Sequence, residues 1–225
     1  MTSNISLCLL TLNEVHGCRK VVPNLPRDLF GEIFALDGGS TDGTIEYLVS
    51  QGIQVVPQRV GSYNSAYVEA TAHYSGEAIV FYHPKGTVEA ESLPLLVAAL
   101  EDGADFVVAS RMLPSSTNEE DDHFFRHRKW FGQGLSIAAS FRWRRREQQR
   151  ITDPLHGYRG CARSFTDSLR FRSTGMTADL EMVRHAYVTG ATIVEIPINE
   201  SEREIGGTHF PAFKTGRALI HYLIS

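Results

Sequence analysis

The residue types that could do chemistry cluster in a few short stretches. The first is Asp37-Gly38-Gly39-Ser40-Thr41-Asp42-Gly43-Thr44. An apolar run, Ile33 to Leu36, ends at Asp37, and a helical pattern begins with Ile45, Leu48 and Val49. A strand, a tight loop and a helix N-terminus in that order gather backbone N–H groups where negative charge can sit. The glycines let a ligand approach the backbone. Asp37 could accept hydrogen bonds from a base or a ribose. The same residues would also serve as an ordinary strand-to-helix turn. A second stretch, Thr152-Asp153-Pro154-Leu155-His156-Gly157-Tyr158-Arg159, holds a carboxylate that could equally be a turn-initiating Asp-Pro. Its Arg159 could hold an anionic group. A third, residues 124–150, interleaves Phe124, Phe125, Trp130, Phe131, Phe141 and Trp143 with eight arginines and lysines.

The elements that must position these residues alternate in type. Ile5 to Leu12 reads as a strand buried on both faces. Val15 to Leu25 reads as a helix stopped by Pro26. Further strands are expected at Ile53 to Val56, Ala78 to Tyr82 and Phe106 to Ala109. A helix is expected from Ser62 to Tyr74 with Gly76 as its C-cap, and another from Leu93 to Leu100. Beyond a polar loop at Pro114 to Asp122 come a short strand near Gly157 to Ala162, a helix from Thr177 to Val188 ending at Gly190, a strand from Thr192 to Ile198, and an amphipathic helix from Phe210 to Ile224. This alternation predicts an α/β fold with a mainly parallel, doubly wound sheet flanked by helices.

Composition narrows the class. The 225 residues suffice for one large domain, and apolar content is ordinary for a globular protein. A formal net charge of −4 argues against a nucleic-acid binder. Cys8, Cys18 and Cys161 are odd in number and form no C-x-x-C pair, so neither a disulfide framework nor a zinc site is implied. A reducing cytoplasm fits. No signal peptide is visible, and no stretch approaches the ~20 apolar residues a membrane span needs.

The 37–44 loop, with Leu12-Asn13-Glu14 before it, resembles the opening of family-2 glycosyltransferases of the GT-A fold. Their pattern runs strand, T-x-N-E, helix, strand, D-D-G-S-x-D-G-T, and Gly38 stands at the second Asp. The resemblance implies nucleotide-sugar contacts at Leu12, Asn13, Glu14, Asp37 and Gly39, and at the basic residue Arg59. The family's third block ends in a D-x-D that supplies oxygen ligands to Mg²⁺ or Mn²⁺ on the donor diphosphate. Here those acids correspond to His83 and Lys85, so the usual ligands are missing. A protonated lysine cannot ligate a metal, and a lone histidine is a poor magnesium ligand. Three readings stand. Lys85 itself neutralises the diphosphate and acts in catalysis; a metal binds through His83 and other acids; or the chain is a non-catalytic module that binds nucleotide-sugar or a partner protein. Lys85 could also simply point into solvent from a turn.

Residues 152–159 resemble the D-P-x-x-G-[FY]-[RK] segment of the dolichyl-phosphate mannose synthase type, which implies Asp153 as base or orienting group. Arg111 matches the family's G-S-R. Arg203, Thr208 and His209 fall in a tail like the family's. Arg111, Arg159, Arg203 and His209 are therefore the expected acceptor or phosphate contacts, and Asp179 or Glu181 is expected to face the site or to favour a helix dipole. The resemblance implies one GT-A domain over residues 1–225, with a donor half at 1–111 and an acceptor half at 112–225. It implies hexose transfer with inversion to an acceptor, polyprenyl phosphate first and a soluble sugar or protein as the alternative. For residues 124–150 it favours peripheral contact at the inner face of a membrane, where each Lys or Arg near anionic lipid contributes about 1 kcal/mol. A solvated helix with buried aromatics is the other reading of that segment; nucleic acid is not expected.

Overall fold

The structure is a computed structural model, and it describes residues 4–118, 127–172, 175–202 and 212–225. Arg203, Thr208, His209 and the start of the 124–150 segment lie outside the described residues. Among the described residues seven strands form one sheet: β1 (Ile5–Thr11), β2 (Glu32–Asp37), β3 (Gln54–Pro57), β4 (Ala78–Tyr82), β5 (Phe106–Ser110), β6 (Arg159–Ala162) and β7 (Ile193–Pro197). Their order is β3-β2-β1-β4-β6-β5-β7. All neighbours pair parallel except β6, which runs antiparallel between β4 and β5. Residues from both halves of the chain thus enter one sheet. The expected α/β sheet flanked by helices is what the structure has.

β1 explains why the sheet is covered on both sides. Leu7 and Leu9 pack into one apolar layer with Val80, Tyr82, Val107 and Ala109. Cys8 and Leu10 turn the other way, toward Phe34, Phe81, Phe106 and Val108. All seven β1 residues are buried, as the two-residue side-chain period requires of a central strand with helices above and below. The first layer is closed by α1 (Val15–Val21), α2 (Thr44–Ser50) and α4 (Leu93–Glu101). The second is closed by α3 (Tyr63–His73), α5 (His127–Trp143), α6 (Arg163–Ser168), α7 (Ala178–Thr189) and α8 (Ala212–Ile224). Among the described residues no helix is long and apolar enough to cross a membrane.

Two local expectations are corrected. The helix from Val15 ends at Val21 rather than at Leu25, and Val22–Asn24 forms a 3-10 turn. Pro23 has no N–H to continue the α ladder. Gly76 is not the C-cap of α3, whose cap is Tyr74 in extended conformation. Gly76 is small for another reason: a Cβ there would lie 2.6 Å from the Asn4 carbonyl oxygen. Gly190 does cap α7 with φ 76°.

Candidate active site

At the tips of β1 and β2 the Asp37 carboxylate organises the loop that follows it. Its Oδ1 accepts the backbone N–H groups of Gly39 at 2.9 Å and Ser40 at 2.7 Å. Its Oδ2 accepts the hydroxyls of Thr11 at 2.7 Å and Ser40 at 2.6 Å. A carboxylate offers about four acceptor positions, so the chain itself fills them. Gly39 takes φ 97°, with open space where a Cβ would stand. Asn13, also at positive φ, bridges to this loop: its Oδ1 accepts from Thr41 N–H at 2.8 Å and its own N–H donates to the Ser40 hydroxyl at 2.8 Å. Asp42 accepts from Val15 N–H and Thr44. Burial raises the Asp42 pKa, but these donors prevail and hold it below the usual range. Leu12 and Asn13 are exposed, whereas Glu14 is buried and donates its N–H to the Thr44 hydroxyl.

Helix α1 links this loop to the turn after β4 by contact rather than by chain order. Gly17 rests against the backbone of Pro84 and Lys85, so closely that a Cβ would lie 2.1 Å from the Pro84 carbonyl oxygen. The turn after β4 then opens into a cavity of about 190 Å³ whose wall includes Lys85, His83, Tyr63, His156, Asp179 and Glu200.

Helix pairing sets the far wall. Asn64 on α3 accepts the N–H groups of Thr177 and Ala178 at 2.8 and 2.9 Å, satisfying the N-terminus of α7 from outside. Its amide donates to Glu181 at 2.8 Å. Glu181 therefore ties the two helices together. Asp179, two residues earlier, turns into the cavity instead. The Tyr63 hydroxyl donates to it at 2.8 Å, and the Tyr67 hydroxyl lies 3.3 Å away. Tyr67 has one hydrogen and three partners in reach, the others being Tyr63 at 2.9 Å and His83 Nε2 at 3.1 Å. Burial raises the Asp179 pKa from its ordinary value, against the pull of Arg159 and the tyrosines. Burial, with Lys85 and His156, holds the His83 pKa well below the ordinary imidazole value. A Cβ on Gly157 would sit 2.4 Å from His83 Nε2, so only glycine lets this wall close.

The floor is an ion cluster. Arg111, at the end of β5, grips Asp153 with Nε at 2.7 Å and Nη2 at 3.1 Å, and reaches Glu200 with Nη1 at 2.8 Å. Burial opposes the Asp153 charge, but Arg111 outweighs it and drives the carboxyl far below its ordinary pKa. Glu195 fixes the same turn by accepting from the Thr152 and Asp153 N–H groups. His156 lies 2.9 Å from the Ala109 carbonyl through Nδ1, so Nδ1 carries the hydrogen. Burial and Arg111 lower the His156 pKa to about 4.

The sequence-expected residues therefore divide. Lys85, His83 and Arg111 meet in the small cavity. Asp153 is 1 % exposed, clamped behind Arg111, and lines a second cavity of about 1340 Å³ between α5 and α8. The two cavities share Arg111, Leu155, Thr215 and Leu219. Arg159 is fully buried: Nε donates to the His156 carbonyl at 2.6 Å, the guanidinium covers the Phe106 ring, and Nη1 has no hydrogen-bond partner among the described residues. It lines neither cavity. Asp37 and exposed Arg59 are in neither wall; Arg59 N–H donates to Glu69. Tyr63, Tyr67, His156 and Glu200 were not singled out as site residues by sequence.

The divalent ion implied by the resemblance does not fit these groups. Among the described residues no three His, Cys, Asp or Glu side chains stand together as a metal site. The turn after β4 offers an imidazole and an ammonium, which do not suit a hard cation.

Comparison with known proteins agrees with the fold. The model of the Glycosyl transferase family 2 matches residues 7–170. Glycosyltransferase AglJ of Haloferax volcanii is 26 % identical over 89 % of this chain, which spans 65 % of that protein's length. An uncharacterized glycosyltransferase of Mycobacterium bovis is 24 % identical, covering 90 % of this chain and 87 % of its own. Glucosyl-3-phosphoglycerate synthase of Mycobacterium tuberculosis, solved with Mn²⁺ and UDP-glucose, superposes with a TM-score of 0.74 at 20 % identity, over 98 % of this chain and 77 % of that one.

Proposed function

Because the chain belongs to glycosyl transferase family 2, we propose that it moves a hexose from a nucleotide-sugar to an amphiphilic phosphate, polyprenyl phosphate being the type. The single observation that carries this reading is the junction of two cavities. The small one gathers Lys85 and Arg111, and the large, mainly apolar one between α5 and α8 shares part of its wall. A sugar diphosphate suits the first and a prenyl chain the second. The acceptor oxygen attacks the anomeric carbon from the face opposite the diphosphate. The bond from that carbon to the diphosphate oxygen breaks, the configuration inverts, and the nucleoside diphosphate leaves with the electron pair. The Lys85 ammonium neutralises that charge. The exposed Leu12 and Asn13 and the open side of Gly39 are the proposed nucleotide side, on a scaffold held by Asp37. Arg111 and Asp153 orient the acceptor turn as a pair, and Arg159 supports the turn from below. The proposed site of action is the inner face of a membrane.

The test is turnover of labelled nucleotide-sugars with polyprenyl phosphate in excess EDTA, comparing wild type with Lys85→Met. Turnover that persists in EDTA and falls by about 10²- to 10³-fold in the variant is the expected outcome. Binding without turnover under every condition would instead make the chain a non-catalytic module.

A second reading concerns the acceptor group. A phosphate is already ionised and needs no base. Asp179, buried and with a raised pKa, has the character of a base for a hydroxyl acceptor. Transfer to a soluble hydroxyl acceptor, lost in Asp179→Asn, would favour that acceptor class.

A further inference from the structure

We propose that α5 and α8 together form one face that docks on an anionic lipid bilayer. The inference rests on the acceptor reading above and adds a second helix, a geometry and a source for the acceptor. On α5, Trp130, Ile137 and Phe141 are 54 %, 57 % and 94 % exposed. Spacings of seven and four residues put them in one line along the helix. On α8, Phe213, Ile220 and Ile224 repeat those spacings at 88 %, 48 % and 67 % exposure. Single exposed apolar residues need no explanation, but two such lines side by side do.

The helices are neighbours along their lengths. A Cβ on Gly216 would lie 3.8 Å from the Phe131 ring. Trp143 meets Tyr222 edge-on at 5.9 Å between centroids, and Arg142 donates to the Ile224 carbonyl at 3.5 Å. Charge then selects the partner. Residues 127–146 contain no Asp or Glu and bring Arg128, Lys129, Arg142 and Arg146 to this face, while Arg144 and Arg145 turn onto the Gln148 and Val188 carbonyls. Residues 213–225 also lack acids and carry Lys214 and Arg217. In a chain of net charge −4 this face is locally cationic. Aromatic and aliphatic side chains bordered by cations match the boundary between anionic headgroups and acyl chains.

The position of the face gives it a purpose. Phe213, Ile220 and Ile224 belong both to the exposed line and to the wall of the 1340 Å³ cavity. An amphiphilic acceptor lying in the bilayer would meet that wall without passing through water.

The full chain is mixed with phosphatidylcholine vesicles, with or without phosphatidylglycerol, and co-sedimentation and tryptophan fluorescence are read. Binding to the anionic vesicles, a blue shift that Trp130→Phe diminishes, and release by salt are expected. Arg142→Gln with Arg146→Gln lowers partitioning by about thirtyfold. Ile137→Ser with Phe141→Ser also weakens it, and thermal melts of both variants confirm folding. Transfer to a short-chain, water-soluble acceptor phosphate is measured beside them and is unchanged, because none of these four residues lines either cavity. No preference for anionic vesicles, variants that bind like wild type, or a dimer that buries this face would overturn the docking. Transfer without vesicle binding would sink the docking alone, whereas vesicle binding without transfer would sink the catalytic reading alone.

Discussion

Two carboxylates, one in the loop after β2 and one in the wall of the small cavity, show how one group takes two roles. Asp37 is 2 % exposed and accepts four hydrogen bonds from Thr11, Gly39 and Ser40. Asp179 is 8 % exposed and has two tyrosine hydroxyls, one of them contested by His83 and by the other tyrosine. Burial is alike; saturation is not. A saturated carboxylate is already part of the backbone's architecture. An under-served one keeps lone pairs for a ligand, and its donors offset too little of the burial that raises the Asp179 pKa. The loop at Asp37 is therefore scaffold, and the cavity at Asp179 and Lys85 is where charge can be moved.

The largest expected break comes at Asp179. If it takes a proton from a hydroxyl acceptor, Asp179→Asn lowers kcat for that acceptor by about 10² to 10⁴-fold. Its melting temperature should not fall. A raised carboxyl pKa means the folded state penalises the ionised form, so removing that charge removes a cost at neutral pH. The acid limb of the wild-type pH profile should lie above the ordinary Asp value of ~3.9. A melting temperature that drops as far as activity would make Asp179 scaffold too, and the contrast with Asp37 would vanish.

Next in size is Arg111→Met, which leaves Asp153 and Glu200 without their shared cation. Stranding a buried carboxylate costs about 3–5 kcal/mol, read by denaturant unfolding. The pH sign follows from Asp153, whose folded-state pKa is held down by Arg111. Such a group contributes stability above its unfolded value of ~3.9 and loses it as pH falls toward the folded one. The gap between wild type and variant should thus be widest near neutrality and narrow below about pH 4. A gap independent of pH would mean that Arg111 acts through packing alone.

How much of this was legible in the sequence depended on range. β4 was readable residue for residue, because five apolar residues stand between Gly76 and the Pro84 turn. α6 was not foreseen; Arg163-Ser-Phe-Thr-Asp-Ser has no apolar period, and its Phe165 is held by long-range stacking on Phe106 at 4.9 Å. Lys85 and Arg111 could be tied to the site because they follow strands whose ends face it. Asp153 reads as a base or an orienting group, and nothing local announces that Arg111, 42 residues away, will clamp it. Tyr63 lies 116 residues from Asp179 and reads locally as one more apolar helix position. The usable signal was the phase of α3: Tyr63 and Tyr67 are four apart, on one face with Ala70, so two hydroxyls had to be buried together and would need an acceptor.

The smallest and most diagnostic expected effect lies at Asp37. Asp37→Asn keeps one carbonyl oxygen for the Gly39 and Ser40 N–H groups and turns an amide toward the Thr11 and Ser40 hydroxyls. Those hydroxyls can rotate to accept, but the charge that strengthened all four bonds is gone. A loss of about 1.5–3 kcal/mol follows from bonds to a charged group. Because this loop is scaffold on the proposed nucleotide side, KM for the donor should rise while kcat, set at the Lys85 cavity, changes little. Gly39→Ala offers a finer version: no atom lies within 4 Å of the new Cβ, so only the φ of 97° resists it, at about 1–2 kcal/mol. If either variant lowered kcat with KM unchanged, the loop would be taking part in the transition state, and the separation drawn between the two carboxylates would be wrong.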